Sequence, residues 1–427
     1  MTAPPPQMAS FETGEDFALA MDARDSLKEC RDLFFIPKFN GADCVYLSGH
    51  SLGLQPKSVA AYIQEGLNDW AELGVEGHFH AKHPWMPYHR CLREQTAKLV
   101  GGKPDEVVVM NSLTVNLHLM MVSFYRPTSS RNKILIERGA FPSDQYAVKS
   151  QIRFHGYDPA SALIELGPLP GESYVHDDQI ESLIERSGDE IALILFAGVN
   201  YATGQFFNLE QIVRAGHARG CIVGFDLAHA AGNLPLNLHT CGPDFAVWCS
   251  YKYLNGGPGC VAGCFVHERH ANAYKLPRFT GWWGHDEASR FQMGPDFRAM
   301  AGAEGWQLSN PPIVSLASLR ASMDIFHRVG MQSLRVKSVV LTNYLEFLLN
   351  ERSSSAFSII TPYEPARRGA QISIRVPRGR TVCDQLTAEG VICDWREPDI
   401  LRVAPIPLYN SFHDVFRFVQ HLRKAVD

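Results

Sequence analysis

An α/β fold with a largely parallel sheet, covered by helices on both sides, is predicted by three features of the chain. Short apolar runs alternate with amphipathic stretches from about Val107 to Val266. Most of the runs have too little polar alternation to keep one face wet. Polar and glycine residues cluster where the runs end. The runs Val107 to Met110, Lys133 to Glu137, Ala162 to Leu166, Ile191 to Phe196, Cys221 to Phe225, Phe245 to Cys249 and Cys260 to Val266 read as strands. Between them apolar residues recur at three- and four-residue spacing, as at Ile180, Leu183 and Ile184, which predicts helices. Strand and helix in turn imply right-handed crossovers and parallel pairing. Ligands then belong at the carboxyl ends of the strands.

On the N-terminal side, Val59, Tyr62, Ile63, Leu67, Trp70 and Leu73 trace an apolar helical face that Gly74 and Gly77 end. On the C-terminal side, the Gly281-Trp-Trp-Gly284 loop and the Ser309-Asn-Pro-Pro312 break separate off a second region. It opens with helical patterns from Ile313 to Val329 and Leu334 to Asn350. Strands at Gln371 to Val376 and Ile400 to Val403 follow, with a last helix from His413. The expected organisation is an N-terminal segment (1–50) that begins as a disordered tail and then joins the small domain. A large α/β domain (51–312) and a small α+β domain (313–427) follow.

With 45% hydrophobic and 20% charged residues in 427, the composition is that of a soluble globular protein. A net charge of −5 gives no sign of a nucleic-acid or anionic-membrane partner. Apolar stretches such as Leu117 to Phe124 and Ile191 to Val199 are too short to span a bilayer. The first residues, Met1-Thr-Ala-Pro-Pro-Pro-Gln7, do not have the pattern of a secretory signal. Ten cysteines occur without a Cys-x-x-Cys pair, and Cys221, Cys249, Cys260 and Cys264 fall inside apolar runs. Buried free thiols in a cytoplasmic protein explain this pattern better than disulfides or zinc. The histidines at 78, 80, 83 and 89 lack a carboxylate or thiolate at ligand spacing, so no metal site is expected.

Chemistry enters at the strand ends. Lys252 follows the run Phe245 to Cys249, and Asp226 closes the run that begins at Cys221. A partly desolvated lysine can form a Schiff base with a carbonyl cofactor. A carboxylate beside it can keep a pyridine nitrogen protonated, as pyridoxal phosphate requires. Taken singly, such a lysine is usually a solvated charge and such an aspartate a helix cap. The polar turn Asn111-Ser-Leu-Thr114 leads into a helix, whose free N–H groups could take a phosphate or simply be capped. In Phe141-Pro-Ser-Asp144 the phenylalanine could stack on an aromatic ring and Asp144 could add a second carboxylate. In a parallel sheet these four ends share one edge, and Tyr251 beside the lysine is a candidate phosphate donor or proton carrier.

The residues carrying a family resemblance are Ser48-Gly-His-Ser-Leu-Gly-Leu-Gln-Pro56, Asn111 to His118, Phe141 to Asp144, Tyr201-Ala-Thr-Gly-Gln205, Asp226 to Gly232 and Ser250 to Asn255. Gly281-Trp-Trp-Gly-His285, Ser309 to Pro312 and Arg402 to Tyr409 complete the set. Along almost its whole length the chain resembles the kynureninases, pyridoxal-phosphate enzymes of fold type I. That resemblance implies hydrolysis of L-kynurenine or 3-hydroxy-L-kynurenine to anthranilate or 3-hydroxyanthranilate plus L-alanine, in tryptophan catabolism and NAD biosynthesis. It further implies that Lys252 holds the cofactor covalently and that Asp226 pairs with the ring nitrogen, with Asp144 close by. Leu113, Thr114, Ser143 and Tyr251 would surround the phosphate, Phe141 with Pro142 would cover the ring, and His229 would lie near it. The resemblance implies a homodimer in which Trp282 and Asn310 reach the partner's site. Arg402 would grip the substrate carboxylate, and Ser51 and His78 would face the aryl end.

Two positions depart from the family pattern. His50 stands where asparagine is expected, and Ala197 where some relatives place a cofactor-contacting serine. Neither is expected to touch Lys252 or its carboxylates. An aminotransferase or a cysteine desulfurase of the same fold remains the enzymatic alternative. A non-catalytic paralogue is another, although it would be expected to lack the lysine.

Overall fold

The computed structural model describes residues 11–351 and 356–426. The expected tail at Met1 to Gln7 lies outside the described residues. Seven strands form the central sheet: β1 (Val107–Val109), β2 (Lys133–Glu137), β3 (Leu163–Leu166), β4 (Ile191–Ala197), β5 (Ile222–Asp226), β6 (Phe245–Trp248) and β7 (Gly263–Val266). Their spatial order is β1-β7-β6-β5-β4-β2-β3. Pairing is parallel from β6 through β3, and β7 runs antiparallel to both of its neighbours. Six carboxyl ends therefore point the same way.

Successive side chains on a strand point to opposite faces, and here both faces are dry. Val107, Val109, Leu135, Ile194, Phe196, Val223 and Phe225 belong to one apolar cluster. Their strand neighbours Val108, Ile134, Ile136, Leu193, Leu195 and Val247 belong to another on the far side. This two-sided burial is why the runs read as continuously apolar.

A smaller antiparallel sheet contains β8 (Ser358–Ile359), β9 (Ile372–Arg375), β10 (Asp394–Arg396) and β11 (Ile400–Val403), in the order β8-β9-β11-β10. Helices Met331–Asn350 and Phe412–Val426 cover it, and Leu341, Leu345, Ile372, Ile374, Leu401, Val403, Phe418 and Leu422 share its core. The N-terminal segment joins this unit: Val45–Tyr46 pairs in parallel with Val391–Ile392. Helix Ile313–Val329 faces the other way, with Leu316, Leu319, Met323 and Phe326 in the core behind the large sheet.

The helix Val59–Leu73 forms as expected, with Val59 buried and Tyr62 and Ile63 packed on the core. Trp70 is 64% exposed and Leu67 is 38% exposed, so the far half of that face is uncovered in the single chain. Periodicity identifies a face and says nothing of what lies opposite it.

Candidate active site

Five strand ends, not four, converge on one cavity. The end of β1 brings Leu113 and Thr114, and β2 brings Glu137, Phe141, Ser143 and Asp144. Asp226, Ala228 and His229 come from β5, and Tyr251 and Lys252 from β6. The fifth contribution, Ala197, Val199 and Tyr201 from β4, lies between them.

Lys252 Nζ lies 3.0 Å from His229 Nε2. It also sits 5.7 Å from the centre of the Phe141 ring and 5.9 Å from that of Tyr251. His229 is buried, and desolvation, reinforced by the charge of Lys252, holds its basicity well below the ordinary histidine value. A neutral imidazole can therefore accept the lysine's N–H. The lysine turn is clamped from outside by the Ser51-Leu52-Gly53 segment. Gly53 N–H donates to the Tyr251 carbonyl at 2.9 Å. A Cβ at Gly53 would fall 2.3 Å from the Lys252 carbonyl oxygen, which explains the glycine.

The floor is acidic. Asp226, the last residue of β5, accepts the Ala228 N–H at 2.7 Å. Burial raises its pKa, and Asp144 beside it is pushed well up by burial and by the charges of Asp226 and Glu137. Desolvation drives the Glu137 carboxyl to about 7. Three buried carboxyl groups with a single cation facing them, and with Asp144 Oδ1 lacking a partner, leave room for another positive charge. A protonated pyridine nitrogen fits that requirement.

At the opposite end, Thr114 Oγ1 and Ser143 Oγ are 2.9 Å apart. They stand in the first turns of helices Leu113–Phe124 and Pro142–Phe154, neither of which has a side-chain N-cap hydrogen bond. Two uncapped N-termini and two hydroxyls make a phosphate cradle. The first helix starts at Leu113, inside the stretch expected to be a turn, which places Thr114 in its first turn. Phe141 lies edge-on to Tyr201, with ring centres 5.2 Å apart, and Pro142 opens the second helix. The donors, the lysine and the acidic floor thus match the phosphate, aldehyde and ring nitrogen of pyridoxal phosphate.

Arg402 is 1% exposed and is held by Asp394, through Nε at 3.1 Å and Nη2 at 2.7 Å. Its Nη1 donates to the Tyr201 carbonyl at 2.7 Å, which links it to the cavity wall. Ser51 Oγ bonds to Asp394 and lies 3.3 Å from Arg402 Nη2. Burial alone would raise Asp394, but the hydrogen bonds and charge of Arg402 hold its carboxyl below the usual value. The bidentate partner of Arg402 in this single chain is thus an internal aspartate.

Trp282, Asn310 and His78 do not line the cavity. Trp282 is 39% exposed and lies edge-on to Phe291, and Asn310 is exposed. His78 packs against Trp85, with its Nδ1 2.9 Å from the Val75 carbonyl.

Both family departures sit closer to the chemistry than expected. Ala197 lines the cavity and is the direct strand neighbour of Asp226, while its N–H faces the Glu137 carboxylate. His50 is fully buried, with its ring 6.3 Å from that of His229 and Nε2 3.9 Å from Asp394. Sequence reading missed Glu137, Val199, Tyr201, Ala228 and Asp394. Glu137 was visible as a carboxylate ending a buried strand, a position where charge is unusual.

Among the described residues, the one histidine-carboxylate group of metal-ligand size is Glu106, His239 and His267. His267 Nδ1 accepts the Arg269 N–H and Nε2 faces the His239 carbonyl. The Glu106 carboxylate accepts the N–H groups of Lys103 and Glu268. These bonds fix loops, and the group needs no ion.

Fold and site together define a pyridoxal-phosphate enzyme of fold type I. Among solved structures, the chain is similar to the cystine C–S lyase C-DES in a mutant with glycine covalently linked to its PLP cofactor. The TM-score is 0.75 at 16% identity, covering 90% of this chain and 97% of that one. A cysteine desulfurase from Thermococcus onnurineus gives 0.73 at 17% identity, covering 98% and 99%. These likenesses establish the fold. Residues 334–422 match the kynureninase C-terminal domain. The kynureninase of Koribacter versatilis is 66% identical over 414 residues, 96% of this chain and 98% of the relative. That of Myxococcus xanthus is 60% identical over 416 residues, 96% and 97% respectively. The chain belongs to the kynureninase family.

Proposed function

We propose that the chain hydrolyses L-kynurenine, and 3-hydroxy-L-kynurenine as a second substrate, to the corresponding anthranilate and L-alanine. It is a pyridoxal-phosphate-dependent hydrolase acting on a carbon–carbon bond. The observation that carries this reading is the Lys252–His229 contact above the acidic floor, in a chain that matches kynureninases over nearly its full length.

Bound pyridoxal phosphate supplies an electron sink for negative charge that develops at the substrate α-carbon. The roles of the protein groups follow from their positions. Asp226, with Asp144 behind it, keeps the ring nitrogen protonated. Leu113 and Thr114 from one helix start and Ser143 from the other hold the phosphate, and Phe141 covers the ring. Lys252 is the covalent anchor and, once freed by substrate, the base that removes the α-proton. Neutral His229 accepts the lysine's N–H and fixes Nζ in place. Burial pushes the Tyr251 phenol above its ordinary value, so it stays protonated and is a proton donor for the carbon left by cleavage. Arg402 provides the carboxylate contact of the substrate, and Ser51 lies toward its aryl end.

The reading extends to a cytoplasmic homodimer in which Trp282 and Asn310 serve the partner's site and His78 lies toward the aryl end. The exposure of Trp282 and Trp70 supports a covered face in the assembly. Ten free cysteines support a reducing compartment, and among the described residues no helix is long and apolar enough to cross a membrane. Residues 51–312 are read as the cofactor domain and 313–427 as the small domain, with 1–50 leading into the latter.

The test is product analysis with the reconstituted protein. Anthranilate and alanine should appear in equal amounts from kynurenine, and 3-hydroxykynurenine should give the hydroxylated acid. A keto acid in place of alanine would assign an aminotransferase instead.

A further inference from the structure

Next to Asp394, the residue that holds Arg402, two thiols face one another. Cys383 Sγ, on helix Gly379–Ala388, lies 3.8 Å from Cys393 Sγ, which immediately precedes strand β10. Both residues are half-buried, and neither belongs to the cavity. The pairing is local: the helix ends at Ala388, Gly390 turns the chain with a φ of 77°, and Val391–Ile392 brings Cys393 back beside the helix. Four other cysteines have different surroundings: Cys264 contacts Met120, and Cys221, Cys249 and Cys260 point at carbonyl oxygens.

We propose that Cys383 and Cys393 form a peroxide-sensitive dithiol whose oxidation to a disulfide acts on the Asp394–Arg402 pair next to it. The step balances with hydrogen peroxide as oxidant. The Cys383 thiolate attacks one peroxide oxygen, the O–O bond breaks, and a sulfenic acid forms as hydroxide leaves and takes a proton. Cys393 sulfur then attacks the sulfenic sulfur, the S–O bond breaks and a second water leaves. Two thiols and one peroxide give one disulfide and two waters. Either sulfur can donate in the shared contact, and the products are the same when Cys393 makes the first attack.

A disulfide requires the sulfurs to close to about 2.05 Å. That movement falls on the residue joined to Asp394, whose carboxylate holds Arg402 and Ser51. The kinetic consequence rests on the proposed role of Arg402 in binding the substrate carboxylate; formation of the bond does not.

The experiment treats the holoenzyme with hydrogen peroxide, alkylates it with iodoacetamide and maps the peptides by mass spectrometry. A cross-linked peptide joining Cys383 and Cys393 is expected, absent in Cys383→Ser and reversed by dithiothreitol. On kynurenine, the oxidised wild type should show KM raised about fivefold with kcat changed far less, and C383S should show no change. Both thiols fully alkylated after peroxide, or Cys383 carried to its sulfinic acid with Cys393 free, would overturn the dithiol. A cross-link that leaves KM unmoved would overturn its action on Arg402. Unoxidised enzyme that makes no anthranilate would count against the proposed activity, with the peptide map still deciding the disulfide.

Discussion

The side-chain nitrogen of Lys252 lies 3.0 Å from Nε2 of His229, and these residues follow two neighbouring parallel strands, β6 and β5. Both residues stand in the turns just beyond those strands, so the contact joins two neighbouring strand ends. His229 is neutral in this environment, so it holds the lysine without adding a competing charge.

Replacing His229 by Ala should therefore lower kcat by about 10- to 100-fold, the worth of one buried charge-assisted hydrogen bond. The variant should still bind pyridoxal phosphate, with weaker affinity by absorbance titration. Wild-type kcat in H229A would remove the positioning role.

Glu137 makes the stability of the cofactor-free protein depend on pH. Its carboxyl titrates at about 7 when folded and near the ordinary 4.5 when unfolded. Between those values the folded state binds more protons, so stability falls as pH rises through the window. Glu137→Gln lacks this loss and should gain roughly 3 kcal/mol on the wild type between pH 4.5 and 7. Urea midpoints of the two apoproteins at pH 5 and pH 8 measure it. A difference that does not change with pH would mean that Glu137 is not held protonated.

Removing Asp394 leaves Arg402 buried without its carboxylate. Asp394→Ala should destabilise the small domain by about 3–5 kcal/mol, and Asp394→Asn by less because one hydrogen bond can persist. Arg402→Lys keeps a charge but loses the planar fork, so KM for kynurenine should rise more than kcat falls. Urea denaturation and steady-state kinetics test the two halves, and a D394A variant as stable as the wild type would contradict the first.

Much of the site was legible because a parallel sheet turns chain order into position. Ser112 to Thr114, Phe141 to Asp144, Asp226 to His229 and Tyr251 to Lys252 could be placed on one edge from strand endings alone. Asp394 could not. It meets Arg402 because β10 and β11 pair antiparallel with those two residues directly opposite. Nothing in the spacing specifies that register. Glu137 carried a signal, a carboxylate closing an apolar run, but its role comes from its neighbours in space, Asp144 and Asp226. Tyr201 belongs to a loop brought in by β4, a strand whose end carries no ionisable side chain to draw notice. The apolar face that runs to Trp70 is visible in sequence, whereas what covers it is not.

The most direct test of Lys252 as the cofactor anchor is borohydride reduction of the reconstituted protein, followed by peptide mapping. One pyridoxyl-phosphate group per chain should be found on Lys252, and Lys252→Ala should fold but carry no label and make no anthranilate. Stoichiometric label on another lysine, or wild-type turnover in K252A, would contradict the account.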